Sequence, residues 1–241
     1  MKRLTQAIKT DIRVQFRNGL YHVGFVISAI IAVAIALLTT PTQFGNVIPA
    51  AILLIIGGTT MLYVAGMMIF EKDEGTIAAT IVSPLASSGY LAAKLISLVL
   101  LATVESLISI YGAIGIHALG ANANWPNPIW LLAGILSIGT MFTLVGIALV
   151  ARYNKITDFL IPMSGISIIM QLPFLYFWGL FKHPVLLLVP TGAPTMIMEG
   201  AFRPLQIWEQ FYALGYSALT ILALSFWALA AFQKHIVQRM G

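Results

Sequence analysis

The chain has 241 residues, of which 59% are hydrophobic and 9% charged, with 13 Lys and Arg against 8 Asp and Glu. A soluble domain carries about 25% charged residues, so the balance excludes a soluble globular protein. Cysteine is absent, which excludes a disulfide framework and a thiolate metal site, and the net charge of +5 tracks membrane orientation, set out below, with no nucleic-acid partner implied.

Between Arg17 and Glu71 only His22 can carry charge, and between Glu105 and Arg152 only His117. Each stretch is about twice the length of a bilayer-crossing helix and holds two spans and a turn. Asp158 to Lys182 and Glu209 to Lys234 bracket one more span each, which makes six. Uninterrupted apolar runs of this length favour helices over a barrel, whose strands alternate in segments of about ten residues. The predicted fold is an all-α integral membrane protein, with residues 1–241 as one transmembrane domain.

Residues 1–18 carry Lys2, Arg3, Lys9, Arg13 and Arg17, with Leu4, Ile8, Ile12 and Phe16 at four-residue spacing. One face is basic and the next apolar, which predicts an amphipathic elbow helix lying along the bilayer surface, with Arg13, Phe16 and Arg17 at the interface. Ala34 and Ala36 form an A-x-A, but the charged region is too long and the apolar run too extended for a signal peptide. Span one covers about Leu20 to Leu38, and Pro41, Gly45, Asn46 and Pro49 predict the turn after it. Span two, about Ala50 to Phe70, contains Gly57, Gly58 and Gly66, small enough for close helix contact in lipid.

Residues 71–89 follow, an insertion holding three of the eight acids. Glu71, Asp73 and Glu74 lead through Gly75 and Thr76 into about two turns of helix before Pro84 and Leu85, and acids are favoured at such a helix N-terminus. Gly75 is a flexible joint and Pro84 stops the helix. The residues alone read equally well as a lever that meets a moving partner or as a solvated loop. Span three, about Tyr90 to Leu119, begins with Lys94, whose stem is expected to snorkel to the head groups, and holds Glu105. Glu105 reads either as a group lining a pathway or carrying a proton, or as a hydrogen-bonding partner of a neighbouring helix near the cytoplasmic side.

Trp125 and Trp130 edge a turn rich in Asn and Pro, as expected at an interface, and span four then runs to about Ala151. Span five contains Pro162, Gln171 and Pro173, and its prolines predict a kink or break. Gln171 lines a cavity or, as its position favours, bonds a neighbouring helix. Between 182 and 209, Pro184, Pro190, Pro194 and Pro204 interrupt apolar runs too short to span, which predicts an external re-entrant hairpin before the last span, with Leu187 and Ile197 as gate residues. Glu199 and Arg203 stand four apart and are expected to pair. Span six covers about Phe211 to Phe232.

Six spans put both termini on one side with 11 of the 13 Lys and Arg residues, and that side is read as the cytoplasm of a cell or inner membrane. No P-loop motif and no Gly-Lys dipeptide occur, so ATP would need another subunit. The four histidines are scattered, which argues against a metal site, and neither Ser88-Gly89 nor Ser164-Gly165 has the glycine that precedes an intramembrane serine nucleophile. No catalytic residue is assigned.

The run from Phe70 to Lys94 resembles a signature of type-2 ABC transporter permeases, carried here by Glu71, Glu74, Gly75, Thr76, Pro84, Leu85 and Lys94. The order of parts across the whole chain is similar too, although Ser88 stands where many relatives place a basic residue. The resemblance implies an exporter's membrane subunit that pairs with a second permease subunit, as a homodimer or heterodimer, and docks its short helix on two copies of an ABC ATPase. It also implies that ATP and Mg2+ are held by that partner, with no cofactor on this chain. A hydrophobic or amphipathic cargo such as a drug, lipid or peptide fits the apolar interior. The rival reading is a proton-coupled secondary transporter or channel using Glu105.

Overall fold

The computed structural model describes residues 2–77, 87–118 and 125–238. Among these residues six helices are long and apolar enough to cross a membrane, and no strand occurs. The elements are α1 (Lys2–Arg17), α2 (Leu20–Leu38), α3 (Phe44–Asp73), α4 (Ser87–Ala118), α5 (Pro128–Val150), α6 (Ile156–Gln171), α7 (Phe174–Trp178), α8 (Gly192–Glu199), α9 (Ile207–Phe211) and α10 (Ser217–Phe232). A π-helical turn, Tyr212–Tyr216, joins α9 to α10, and these make one continuous span. The protein is a multi-pass membrane protein.

Helix α3 starts earlier than its prolines predict. Only Pro41–Gln43 form a turn, a 3-10 segment capped where Thr40 N donates to Gln43 Oε1 at 3.0 Å. Pro49 then lies inside α3, where it removes the donor that would meet the Gly45 carbonyl and leaves the rest of the helix intact. The other end also moves: α3 runs on to Asp73, so Glu71 and Asp73 close a helix and do not open one. Contacts made by Glu71 and Lys72, described below, hold that last turn against neighbouring elements. Gly75, at φ 69, then takes the left-handed conformation that ends helices, which glycine adopts without steric cost.

Helices α3 and α5 form the centre, and α4 packs on both. Around them α2, α6 and the last span keep most of their apolar surface outward, with Phe25, Ile161 and Phe226 all exposed, as lipid-facing helices do. Of the four glycines in α3, Gly57 makes the closest contact: a Cβ there would stand 2.5 Å from Gln171 Nε2 and 2.7 Å from Phe142 Cζ, whereas one on Gly45 would lie 3.3 Å from Phe202 Cβ. Gly58 and Gly66 have nothing within 4 Å. Between α5 and α8 it is backbone that comes close, since a Cβ on Gly134 would lie 2.8 Å from the Met198 backbone nitrogen.

The fifth span breaks after Gln171, at Leu172 and Pro173, before resuming as α7. Pro162, by contrast, stays within α6. Between residues 182 and 209 the chain forms a 3-10 turn, Pro184–Leu188, and the short helix α8, every residue of which is buried, with α5, α3 and the π-turn packed around it. The backbone groups left over there find partners on the last span: Tyr212 OH donates to the Leu187 carbonyl, and Tyr216 OH to the Leu188 carbonyl at 2.7 Å.

Candidate functional site

Three elements meet at Lys94. Although its side chain was expected to reach for the head groups, it is 1% exposed, and its ammonium pairs with Asp11 Oδ1 of α1 at 2.7 Å and with Glu71 of α3. Tyr90, one turn earlier on α4, donates its hydroxyl to the other Glu71 oxygen at 2.6 Å and presents its ring 5.5 Å from Lys94 Nζ. A lysine reaching outward would have left two carboxylates of neighbouring helices facing each other, and the shared ammonium removes that repulsion. Burial pushes the Asp11 carboxyl above its ordinary range, with Lys94 pulling it back down. One turn along α1, Gln15 Nε2 donates to Ser97 Oγ at 3.1 Å, so α1 docks on α4 through its polar residues.

The same turn of α3 makes a second tie. Lys72 Nζ donates to the carbonyls of Val150 and Tyr153, each at 2.7 Å, and so caps the C-terminal end of α5. Glu71 and Lys72, with Lys94 between, tie the ends of α3, α4 and α5 to the middle of α1. Of the residues assigned to partner docking, Glu71 is thus held internally, Glu74 and Gly75 lie just beyond it in exposed positions, and Thr76 Oγ1 donates to the Glu71 carbonyl at 3.1 Å. Pro84 and Leu85 lie outside the described residues. Arg13 and Arg17 are exposed on α1, and Phe16 stacks on Tyr21 of α2 with ring centroids 4.0 Å apart.

Glu105 lies near the middle of the 32-residue helix α4, well away from the end where Lys94 sits. It is 1% exposed and accepts from Tyr63 OH at 2.6 Å and Thr59 Oγ1 at 3.1 Å, both on α3. Helix α2 covers it through Gly24, where a Cβ would fall 2.1 Å from the carboxylate oxygen. Gln171 is elsewhere, on the α3–α6 seam: its Nε2 donates to Ser167 Oγ, and Ser167 donates to the Gly57 carbonyl at 3.2 Å. The two polar groups do not share a site.

Leu187 and Ile197 do come together, buried in one apolar cluster with Ala50, Phe177, Met196 and Ala213. Beside it, Arg203 pairs with Glu199 at 2.9 Å, as the spacing predicts, and also grips both oxygens of Glu209 at 2.7 and 2.8 Å. These bonds, to Glu209 first and Glu199 second, hold the Arg203 guanidinium above its ordinary range. Glu209 thereby clamps the start of the last span to the end of α8. Among the described residues no group of three His, Cys, Asp or Glu is close enough for a metal ion.

Two features escaped the sequence pattern. Asp11 is the lone acid in a basic helix, a signal of an internal partner, and Glu209 sits six residues beyond an arginine already expected to pair. Removing one partner of a buried ion pair strands the others, at a cost of about 3 to 5 kcal/mol. Lys94→Met is accordingly expected to lower the unfolding free energy in detergent by that amount. A loss under about 1 kcal/mol, the range of exposed pairs, would show that the cluster is solvated.

The chain was then compared with known proteins. The profile of the fluoroquinolones export permease protein family matches residues 2–240. Proteins described as fluoroquinolones export permease proteins from two strains of Mycobacterium tuberculosis are each 32% identical over 248 residues, covering 100% of this chain and 99% of theirs. The match spans α1, all six spans and the acidic stretch after α3 together. The chain belongs to the fluoroquinolones export permease protein family.

Proposed function

We propose that this membrane export permease is the transmembrane half of an ATP-driven ABC exporter, working as a homodimer or heterodimer with two copies of a separate ATPase subunit that hold ATP and Mg2+. Its cargo on this reading is an amphipathic aromatic drug of the fluoroquinolone kind, after the description of its relatives. Both termini and the acidic stretch face the cytoplasm. The observation that carries the proposal is the convergence at Glu71 and Lys72. A partner that pushes on the segment after Gly75 acts at the end of α3, and from there on α1 and α4 through Lys94 and on α5 through its capped carbonyls. Four helices would move from one point of contact. Leu187 and Ile197 close the external end of the pathway in this reading, since the cluster that holds them is apolar and is latched to the last span by Arg203.

The proton-coupled alternative draws on one observation, that no Lys or Arg among the described residues pairs with the buried Glu105. Drug uptake into inverted proteoliposomes separates the two readings. Uptake is expected only with the ATPase subunit and hydrolysable nucleotide, and Leu187→Glu is expected to abolish it while ATPase binding persists. Uptake driven by a proton gradient alone, with no ATPase copurifying, would contradict the proposal. The orientation has its own check, made clean by the absence of cysteine. A cysteine at Thr42 should react with an impermeant reagent from outside and one at Ser87 from inside only, and the reverse pattern would remove the ATPase reading.

A further inference from the structure

A cavity of about 350 Å³ opens between α1, α2 and α4, walled by Phe16, Tyr21, His22, Phe25, Val104 and Glu105 among others. Its volume is that of a site for a small molecule, and its outer rim is lipid-facing, with Phe16 51% and Phe25 60% exposed. The one carboxylate in its wall is the buried Glu105. Two hydroxyls donate to that carboxylate, yet no Lys or Arg among the described residues does. An ionised carboxylate at this depth is costly unless a cation joins it, and the cation must come from a proton or from a ligand.

The geometry points to a ligand: we infer that this cavity is a binding site for an aromatic amine in its protonated form, entered sideways from the bilayer. Three of its walls are aromatic, Phe16, Tyr21 and Phe25, and an aromatic face attracts both a planar ring system and a cationic head. Glu105, 1% exposed behind Gly24, supplies the countercharge from within the inner wall through its field, and the His22 ring nitrogen is a further acceptor on the same wall. Gly24 belongs to the design, because any larger residue there would overlap the carboxylate and drive it from its place. Tyr63 and Thr59 fix the carboxylate from the side of α3, so the site is preorganised and a ligand does not have to order it. The inference deepens the export proposal by naming the cargo's chemical class, and it rests on that proposal for the assumption that the cavity serves cargo.

The test is equilibrium binding to the full chain in lipid nanodiscs without nucleotide, with empty nanodiscs subtracted. The probes are norfloxacin, its derivative acetylated on the piperazine nitrogen, and tetraphenylphosphonium, an aromatic cation with no proton to donate. Wild type is expected to bind norfloxacin and tetraphenylphosphonium at least tenfold more tightly than the acetylated compound. Glu105→Gln, which keeps the shape and a hydrogen-bonding side chain, is expected to abolish that preference, while Phe25→Ala weakens all three probes and retains it. Equal binding of the three by wild type, or an undiminished preference in Glu105→Gln, would overturn the inference. If Glu105→Gln does not fold, Phe25→Ala decides, since binding unchanged by it would place the ligand elsewhere. Because nucleotide is absent, failure of ATP-driven uptake would refute the export mechanism without altering these outcomes, and failure here would leave that mechanism standing.

Discussion

Burying one ammonium, that of Lys94, constrains the arrangement of α1, α3 and α4. An unpaired charge at 1% exposure costs several kcal/mol, so the chain must bring acids to it, and it does so from two directions, Asp11 on the surface helix and Glu71 at the end of α3. Those partners fix the register of α1 along α4 and the angle at which α3 leaves the bundle. Tyr90 then satisfies the Glu71 oxygen that the ion pair leaves over, and Gln15 adds a separate polar contact from α1 to Ser97 of α4. Helix α1 is thus tied to the spans by polar contacts, with its apolar residue Phe16 left outward against Tyr21.

The two ends of the bundle are organised by the same device and serve different ends. At one, Lys94 and Lys72 draw α1 and the termini of α3, α4 and α5 into a single body next to the exposed Glu74 and Gly75. At the other, Arg203 bridges α8 to the last span, and tyrosines of the π-turn hold the carbonyls that the prolines leave free. Between them Glu105 stands near the middle of α4, its partners among the described residues being hydroxyls. The helices thus place a charge-tied cluster, an apolar cluster and a buried carboxylate at three separate levels.

Much of this was legible in the residues. The span count, the first span, the break near Pro173, the Glu199–Arg203 pair and the family followed from hydropathy, proline placement and the stretch from Phe70 to Lys94. What escaped was long-range charge pairing. Lys94 looks like a snorkelling residue because local sequence shows its distance from an interface and not the two acids that approach from 83 and 23 residues away. The turn assigned to Pro41 through Pro49 shrank for a similar reason: a helix buried on most sides tolerates one lost hydrogen bond when packing holds it. Of Gly57, Gly58 and Gly66, Gly57 meets a facing helix and the other two have nothing within 4 Å, and nothing in the local spacing distinguishes Gly57 from Gly58.

The central claim is that Lys94 makes α1, α3 and α4 one mechanical unit, and the most direct test is a double-mutant cycle between Lys94 and Glu71. Unfolding free energies of Lys94→Met, Glu71→Gln and the double variant would be compared. Residues that share a buried ion pair are coupled, so the double variant should be more stable than the sum of the single losses implies, by about 1 kcal/mol or more. Losses that simply add, to within about 0.5 kcal/mol, would show that the two side chains act independently and would contradict the account.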